Sequence, residues 1–346
     1  MKANSTIAAR EPELVGPRAL RQWITGERGG YSRVLLLESG APIEALHSAV
    51  GEGDAVLLPA ESDPYDGPAT AVRYRGALTE IGDELFLGER SVELQDYVAA
   101  GFIQLVGPTA VCLADAAGWQ TFHDDADLAR RTGIFPSALL DPRVLLADRS
   151  ALVAPGELRT PDVIRVQADG RVSEGLRGEV IGIVDELPML LTAPRPRAVA
   201  LGHAVRAEGP ARLDIGRYLR AIDLMRMLAV TNGEIRISGF GWSPADDGRA
   251  DAEPLTADPF LIETADGFVL ADTTTLRRHS LSPTTAEIIA IVQSSSVIPV
   301  AADRVARQLG VSASDAERLC EDAVAALAVH VGGLTGGSSL AAGVGR

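Results

Sequence analysis

The stretch Phe260-Leu261-Ile262-Glu263-Thr264-Ala265-Asp266-Gly267-Phe268-Val269-Leu270-Ala271 decides how this chain is read. Two apolar runs of strand composition flank Ala265-Asp266-Gly267, where glycine makes a positive φ available, so a β-hairpin is expected. Thr274 to His279 (TTLRRH) reads as a third, short extended piece. At Leu281-Ser282-Pro283 the period changes. Ser282 is a good N-cap and Pro283 suits the first helical position. Ala286, Ile288, Ile289 and Val292 then form the apolar face of a first helix. A loop over Ser294–Pro299 leads to a second helix, Ala301–Leu309, stopped by Gly310. Ser312 or Ser314 caps a third, with Ser314-Asp315-Ala316-Glu317 as a capping box. Its stripe is Ala316, Leu319, Cys320, Ala323, Leu327 and His330. Three strands followed by three helices make a winged-helix-like unit.

Working outward, Ser243 to Ala257 (SPADDGRADAEPLTA) is acidic, poor in large apolar residues and broken by prolines and a glycine. It reads as a linker. Residues 31–242 before it read as an α/β body of unassigned role, preceded by an N-terminal arm and short helix over 1–30. After the linker come a module over 258–334 and a Gly-, Ser- and Ala-rich flexible tail over 335–346. In the body, Ser32–Leu37 (SRVLLL), a helix over Ile43–Val50 and Ala55–Leu58 (AVLL) give strand, helix, strand, the order of an α/β layer. Further strands are expected at Thr70–Tyr74, Glu84–Leu87, Phe102–Leu105 and Ala110–Leu113, with a helix at Val92–Ala99. Val163–Val166 and Arg171–Ser173 flank Asp169-Gly170 as a second hairpin. Val180–Val184 is another strand, Leu213–Val230 a long helix, and Glu234–Ser238 a strand that follows Asn232-Gly233.

The 346 residues suit two domains. With 32 Lys and Arg against 47 Asp and Glu, the formal charge is −15. A chain this acidic repels a phosphate backbone unless it carries a local basic patch. Two distant cysteines, Cys112 and Cys320, give no disulfide framework or metal spacing. With no apolar leader or long apolar run, a cytoplasmic protein with no membrane segment is expected.

The residue types that carry catalysis are present without the spacing that would unite them. No Walker loop, G-x-G-x-x-G after the first strand, or G-x-S-x-G elbow occurs. His123-Asp124-Asp125, with Asp127, reads as a solvated helix N-terminus rather than a metal cluster. His47, His203, His279 and His330 are scattered, and Cys112 and Cys320 read as buried small hydrophobes. Leu224-Met225-Arg226-Met227-Leu228 reads as core packing. No cofactor, metal or catalytic residue is expected.

The segment 258–334 resembles the PqqD-like RiPP recognition element, a family that recognises the leader of a ribosomally made precursor peptide. The hairpin, Leu281-Ser282-Pro283-Thr284-Thr285-Ala286-Glu287-Ile288-Ile289, the second helix and the long third helix ending near Gly332-Gly333 carry the resemblance. The chain as a whole is similar to the recognition proteins of daptide-type clusters. The resemblance implies a non-catalytic role: holding the leader and presenting it to separate enzymes. For a daptide-type pathway these are a dehydrogenase-type decarboxylase, an aminotransferase and a methyltransferase acting at the peptide C-terminus. A homodimer is left open. The alternatives are an enzyme whose body over 31–242 is catalytic and whose C-terminal module docks substrate, and a winged-helix regulator.

Charge favours peptide over duplex. The third helix carries Arg318 alone against Asp315, Glu317, Glu321 and Asp322, a face that DNA would repel. An exposed edge strand instead offers backbone groups to an extended peptide. The expected groove therefore lies along the third strand, at Thr275, Leu276, Arg277 and Arg278, with Leu276 alternating with Thr275 and Arg277. Leu319 and Ala323 of the third helix form its floor and Asp322 its rim.

Overall fold

The structure, a computed structural model, describes residues 12–202 and 215–333. It is a mixed α/β fold with one large mixed sheet. The chain separates into two compact units, Met1–Phe122 with Asp141–Pro210, and His123–Leu140 with Ala211–Arg346. The tail expected over 335–346 and the start of the arm lie outside the described residues.

The first unit is built on ten of its strands. In chain order these are β1 (Val34–Leu37), β2 (Ala55–Pro59), β3 (Thr70–Gly76), β4 (Glu84–Leu87), β5 (Arg90–Asp96), β6 (Thr109–Cys112) and β7 (Val144–Leu146). After β8 (Leu158–Arg159) come β9 (Val163–Val166), β10 (Arg171–Glu174) and β11 (Val180–Ile183). The sheet order is β11-β10-β9-β1-β2-β3-β4-β5-β6-β7. β9, β1, β2 and β3 run parallel, and so do β5, β6 and β7; β4 is antiparallel to both its neighbours. β8 pairs apart from this sheet with β12 (Arg195–Pro196). The VLLL of β1 is buried throughout, as a strand covered on both faces must be.

Helix α1 (Pro12–Thr25) covers one face with Ala19, Leu20, Trp23 and Ile24, packed on Val34, Leu36, Leu57 and Leu94. Its Trp23 indole donates to the Ile164 carbonyl at 2.9 Å. Leu35, Leu37, Val56 and Leu58 face the other way, against Leu46, Val50, Leu187 and Leu190.

Three expected elements of this unit are corrected. Ile43–Val50 forms only a 3-10 turn over Glu44–Leu46 before Gly51. Val92–Ala99 is not a helix: Val92 and Leu94 alternate inward in β5, and Asp96 then caps the one-turn helix α2 (Tyr97–Ala100) by accepting from the Val98 amide at 2.9 Å. Phe102–Leu105 is turn and loop, leading to Gly107-Pro108. His123, Asp124 and Asp125 sit in the middle of α3 (Ala116–Thr132), not at a helix N-terminus.

The first unit also holds α5 (Arg149–Val153) and α6 (Leu187–Leu190), and the second holds α4 (Ser137–Leu140) and α7 (Ile215–Leu228). The second unit contains a four-stranded antiparallel sheet in the order β13 (Arg236–Ile237), β14 (Phe260–Thr264), β15 (Gly267–Ala271) and β16 (Arg278–Leu281). The hairpin is present, with Gly267 at φ 120°. One sheet face, with Leu261 and Leu270, packs on α8 (Pro283–Gln293), α9 (Ile298–Leu309) and α10 (Ala313–Leu327). On the other face the Arg217 guanidinium of α7 lies 4.4 Å from the ring of Phe260. Ser282 caps α8, accepting from the Thr285 amide at 3.1 Å, and Gly310 ends α9 at φ 67°. Ser312 rather than Ser314 caps α10. That helix stops at Ala328, so His330 falls outside its stripe; Asp258 instead accepts both the His330 amide and its ring nitrogen.

The stretch read as a linker is part of the second unit and is fastened to it. Asp247 accepts two hydrogen bonds of 2.8 Å from Arg304, whose guanidinium also donates to the Ser294 carbonyl and the Ser295 hydroxyl. Asp251 accepts from the amide and hydroxyl of Ser296, and Glu253 exchanges backbone hydrogen bonds with Gly333. Ala245 and Ala252 are buried.

Candidate functional site

Among the described residues β16 is the last strand of its sheet, paired on one side only, to β15. Antiparallel ladders alternate bonded and non-bonded pairs. The Asp272 amide donates to the Arg277 carbonyl at 2.9 Å, which fixes the phase. Leu270–His279 and Phe268–Leu281 are then bonded pairs, and the backbone N–H and C=O groups of Arg278 and Ser280 point to the outer edge. The strand is polar and exposed apart from half-buried Leu281.

The expected third strand over Thr274–His279 is corrected: Thr275, Leu276 and Arg277 precede it. Asp272 accepts from the Thr274 amide at 2.8 Å and the Thr275 hydroxyl at 2.7 Å, turning the chain there. The turn closes at Leu276, which adopts φ 57° and exposes its side chain. A residue with positive φ leaves the pleat, so Leu276 does not alternate with Thr275 and Arg277 across a strand. Burial opposes the low pKa of Asp272, but hydrogen bonds from Thr275 and Thr274 and the charge of Arg220 together keep the carboxyl below its usual range. Arg277 and Arg278 are both exposed beside this edge.

On α10 the inward stripe is Ala316, Cys320 and Ala323, all buried. Leu319 is half-buried on the same core, to which Leu281 at the end of β16 also contributes. Asp322 is exposed. The structure thus sets Ala323 into the core, leaves part of Leu319 open, and keeps Asp322 in solvent.

The second unit also holds an open cavity of about 250 Å³, lined among others by Phe240, Trp242, Arg130, Glu253 and Asp247. Its charges are largely engaged: Arg130 pairs with Glu253 and Arg304 with Asp247. Trp242 stacks on Phe268 at 6.3 Å, with the Arg236 guanidinium 4.9 Å from its ring. The cavity is hidden in the sequence because about half of its wall comes from Ser243–Ala257, whose composition reads as a linker, and the rest from residues outside that stretch, such as Arg130 and Phe240.

The first unit holds a buried acidic group that sequence reasoning also missed. Asp148, Asp162 and Glu174 line a space of about 20 Å³ with Arg159 and Arg197, too small for a substrate. Burial pushes the Glu174 carboxyl up to about 7, aided by the charge of Asp162 and opposed by Arg195. Burial likewise pushes Asp148 up to about 8, against the amides of Leu176 and Arg177 that favour its ionised form. One signal was legible: Glu174 shares a strand face with buried Val172, an acid at an inward position. Cys112 and Cys320 are buried thiols, each pushed up to about 11 mainly by burial. Among the described residues no cluster of three or more His, Cys, Asp or Glu side chains is placed to hold a metal, and no helix is long and apolar enough to cross a membrane.

Set against known protein families, curated proteins and solved structures, the chain matches none of them.

Proposed function

We propose that the chain binds the leader region of a ribosomally made precursor peptide and presents it to separate modifying enzymes. The observation that carries this reading is the outer edge of β16. The edge offers the backbone groups of Arg278 and Ser280 beside two exposed arginines. A leader adding there as a strand gains generic affinity from main-chain hydrogen bonds, while Arg277 and Arg278 favour acidic leaders. The sequence of three strands and three helices over 260–327 suits a winged-helix recognition element of the PqqD type, with β13 as an additional strand. Half-buried Leu319 is the apolar wall in this reading, and exposed Asp322 its rim. Thr275 and Leu276 act at one remove, by shaping the turn that delivers Arg277 and Arg278.

The acids of α10 favour peptide over duplex, since Asp315, Glu317, Glu321 and Asp322 stand against Arg318 alone. The modifying enzymes, and the daptide-type chemistry among them, belong to the same proposal.

The test is Ser280→Pro. It removes one outward N–H, and proline is tolerated where an edge strand faces solvent. With a precursor peptide encoded beside the gene, leader affinity falls at least about tenfold while the melting temperature stays near that of the parent. Unchanged affinity in a folded S280P variant would sink the edge-addition reading.

A further inference from the structure

The first unit has a concave surface with a largely apolar lining, separate from β16. A cavity of about 370 Å³ opens over the middle of α1 and the β4–β5 hairpin. Its floor is Leu20, Leu87, Val92 and Leu145, the last three only partly buried on the core beneath. That volume falls in the range of ordinary ligand sites. Arg21 and Arg90 also line it, both exposed. Neither makes a side-chain hydrogen bond or ion pair among the described residues, although acidic residues outnumber basic ones by 47 to 32. Arg143, the third cation of the lining, is already engaged by Asp141.

The apolar surface continues past the cavity. Pro108 lines it, and the loop running into Pro108 carries Phe102, Ile103 and Val106, with Phe102 87% and Val106 85% exposed. This loop is tied to the cavity wall, because Arg143 donates to the Val106 carbonyl at 3.3 Å. Three large apolar side chains exposed along one short loop are more than a soluble surface usually shows. A small carboxylic acid would fill the cavity and leave the loop wet.

We propose that this surface docks a peptide segment of a partner protein in which a carboxylate neighbours a bulky apolar side chain. The apolar side chain enters the cavity over Val92 and Leu145. Its neighbouring carboxylate takes Arg90 or Arg21, and the flanking residues cover Phe102 and Val106. Unpaired guanidinium groups at the mouth select an acidic segment and reject a basic one. This site stands apart from the leader reading, and either can fail without the other.

The experiment uses the full chain and rhodamine-labelled synthetic peptides read by fluorescence anisotropy. One probe alternates Glu with Leu and Phe; a second replaces Glu by Lys; a third replaces Leu and Phe by Ser. Only the first is expected to bind, with affinity that falls as salt rises. Arg90→Glu weakens it about tenfold or more, and Val92→Trp, which fills the cavity, weakens it further. Arg278→Glu, at the β16 edge, leaves this binding unchanged. Should V92W not fold, R90E with a parental melting temperature carries the test alone. Binding that is indifferent to R90E, or lost in R278E instead, overturns the proposal. So does octanoate competing as tightly as the peptide, because the loop would then contribute nothing.

Discussion

Asp247 in the second unit and Glu174 in the first are both carboxylates drawn in from solvent, and they are held in opposite ways. Asp247 meets the guanidinium of Arg304 in a two-pronged pair, and those hydrogen bonds hold its carboxyl below the usual range. Glu174 is set near Asp162, another acid, and one of its oxygens lacks a hydrogen-bond partner. The first arrangement uses charge to fasten a polar stretch to a helical core. The second strips a carboxyl of water inside a sheet, with another acid nearby. The two units should therefore answer differently to mutation and to pH.

The largest expected effect comes from breaking the pair. Arg304 is 3% exposed, so Asp247→Ala leaves a buried cation with only the Ser294, Ser295 and Ile291 oxygens around it. Removing one partner of a buried pair costs about 3–5 kcal/mol. We expect D247A to lower the stability of the second unit by about 3 kcal/mol in urea unfolding, with Asp247→Asn losing less. A loss below 1 kcal/mol would mean the former linker is not fastened to the core through Asp247. The same pair forecasts that a fragment beginning at residue 256 is destabilised, because it carries Arg304 without Asp247.

The Arg304–Asp247 pair also separates what could be read from the chain from what could not. Local chemistry was legible: Asp266-Gly267 as a hairpin turn, Ser282 as a cap, Gly310 as a stop, VLLL and AVLL as buried strands. These depend on neighbours within a few residues. The stretch Ser243–Ala257 was misleading because composition cannot distinguish an acid in water from one paired with a distant arginine. Asp247 and Arg304 lie far apart in sequence. β13 reads as a strand locally, but its pairing with β14 is long-range and carries no period. The Asp272 turn hid behind the alternating look of Thr275, Leu276 and Arg277, since one side chain accepting from the Thr274 amide outweighs strand propensity. Of the candidate groove, the edge position and the exposed arginines were legible; the turn and the burial of Ala323 were not.

The second effect depends on pH. A carboxyl whose folded value is raised is favoured protonated in the fold. Its contribution is therefore fully present at low pH and is lost as pH rises from the unfolded value of about 4.5 to the folded value of about 7. Glu174→Gln mimics the protonated form. We expect it to match the parent at pH 4.5 and to exceed it by about 2–3 kcal/mol at pH 8, measured by urea unfolding across that range. Asp148, raised to about 8, extends the parent's decline above pH 7, so the parent should keep losing stability after the E174Q difference has levelled off. A difference independent of pH would mean that Glu174 is ionised in the fold throughout.

The smallest effect sharpens the comparison by keeping the ion-pair distance nearly the same while raising exposure and leaving one hydrogen bond in place of two. Arg318 and Asp315 on α10 meet at 2.7 Å, close to the 2.8 Å of Arg304 and Asp247, but their side chains are 69% and 50% exposed. In water the Coulomb gain is screened and two flexible side chains must be ordered, so such a pair contributes within about 0.5 kcal/mol. Asp315 also bonds to the Ser312 hydroxyl that caps the helix, so the arginine is the cleaner end to remove. Arg318→Ala should shift stability by no more than that amount, and raising the salt should erase the difference. A loss comparable to D247A would show that distance rather than burial governs these pairs, and the contrast between Asp247 and Glu174 would then need another cause.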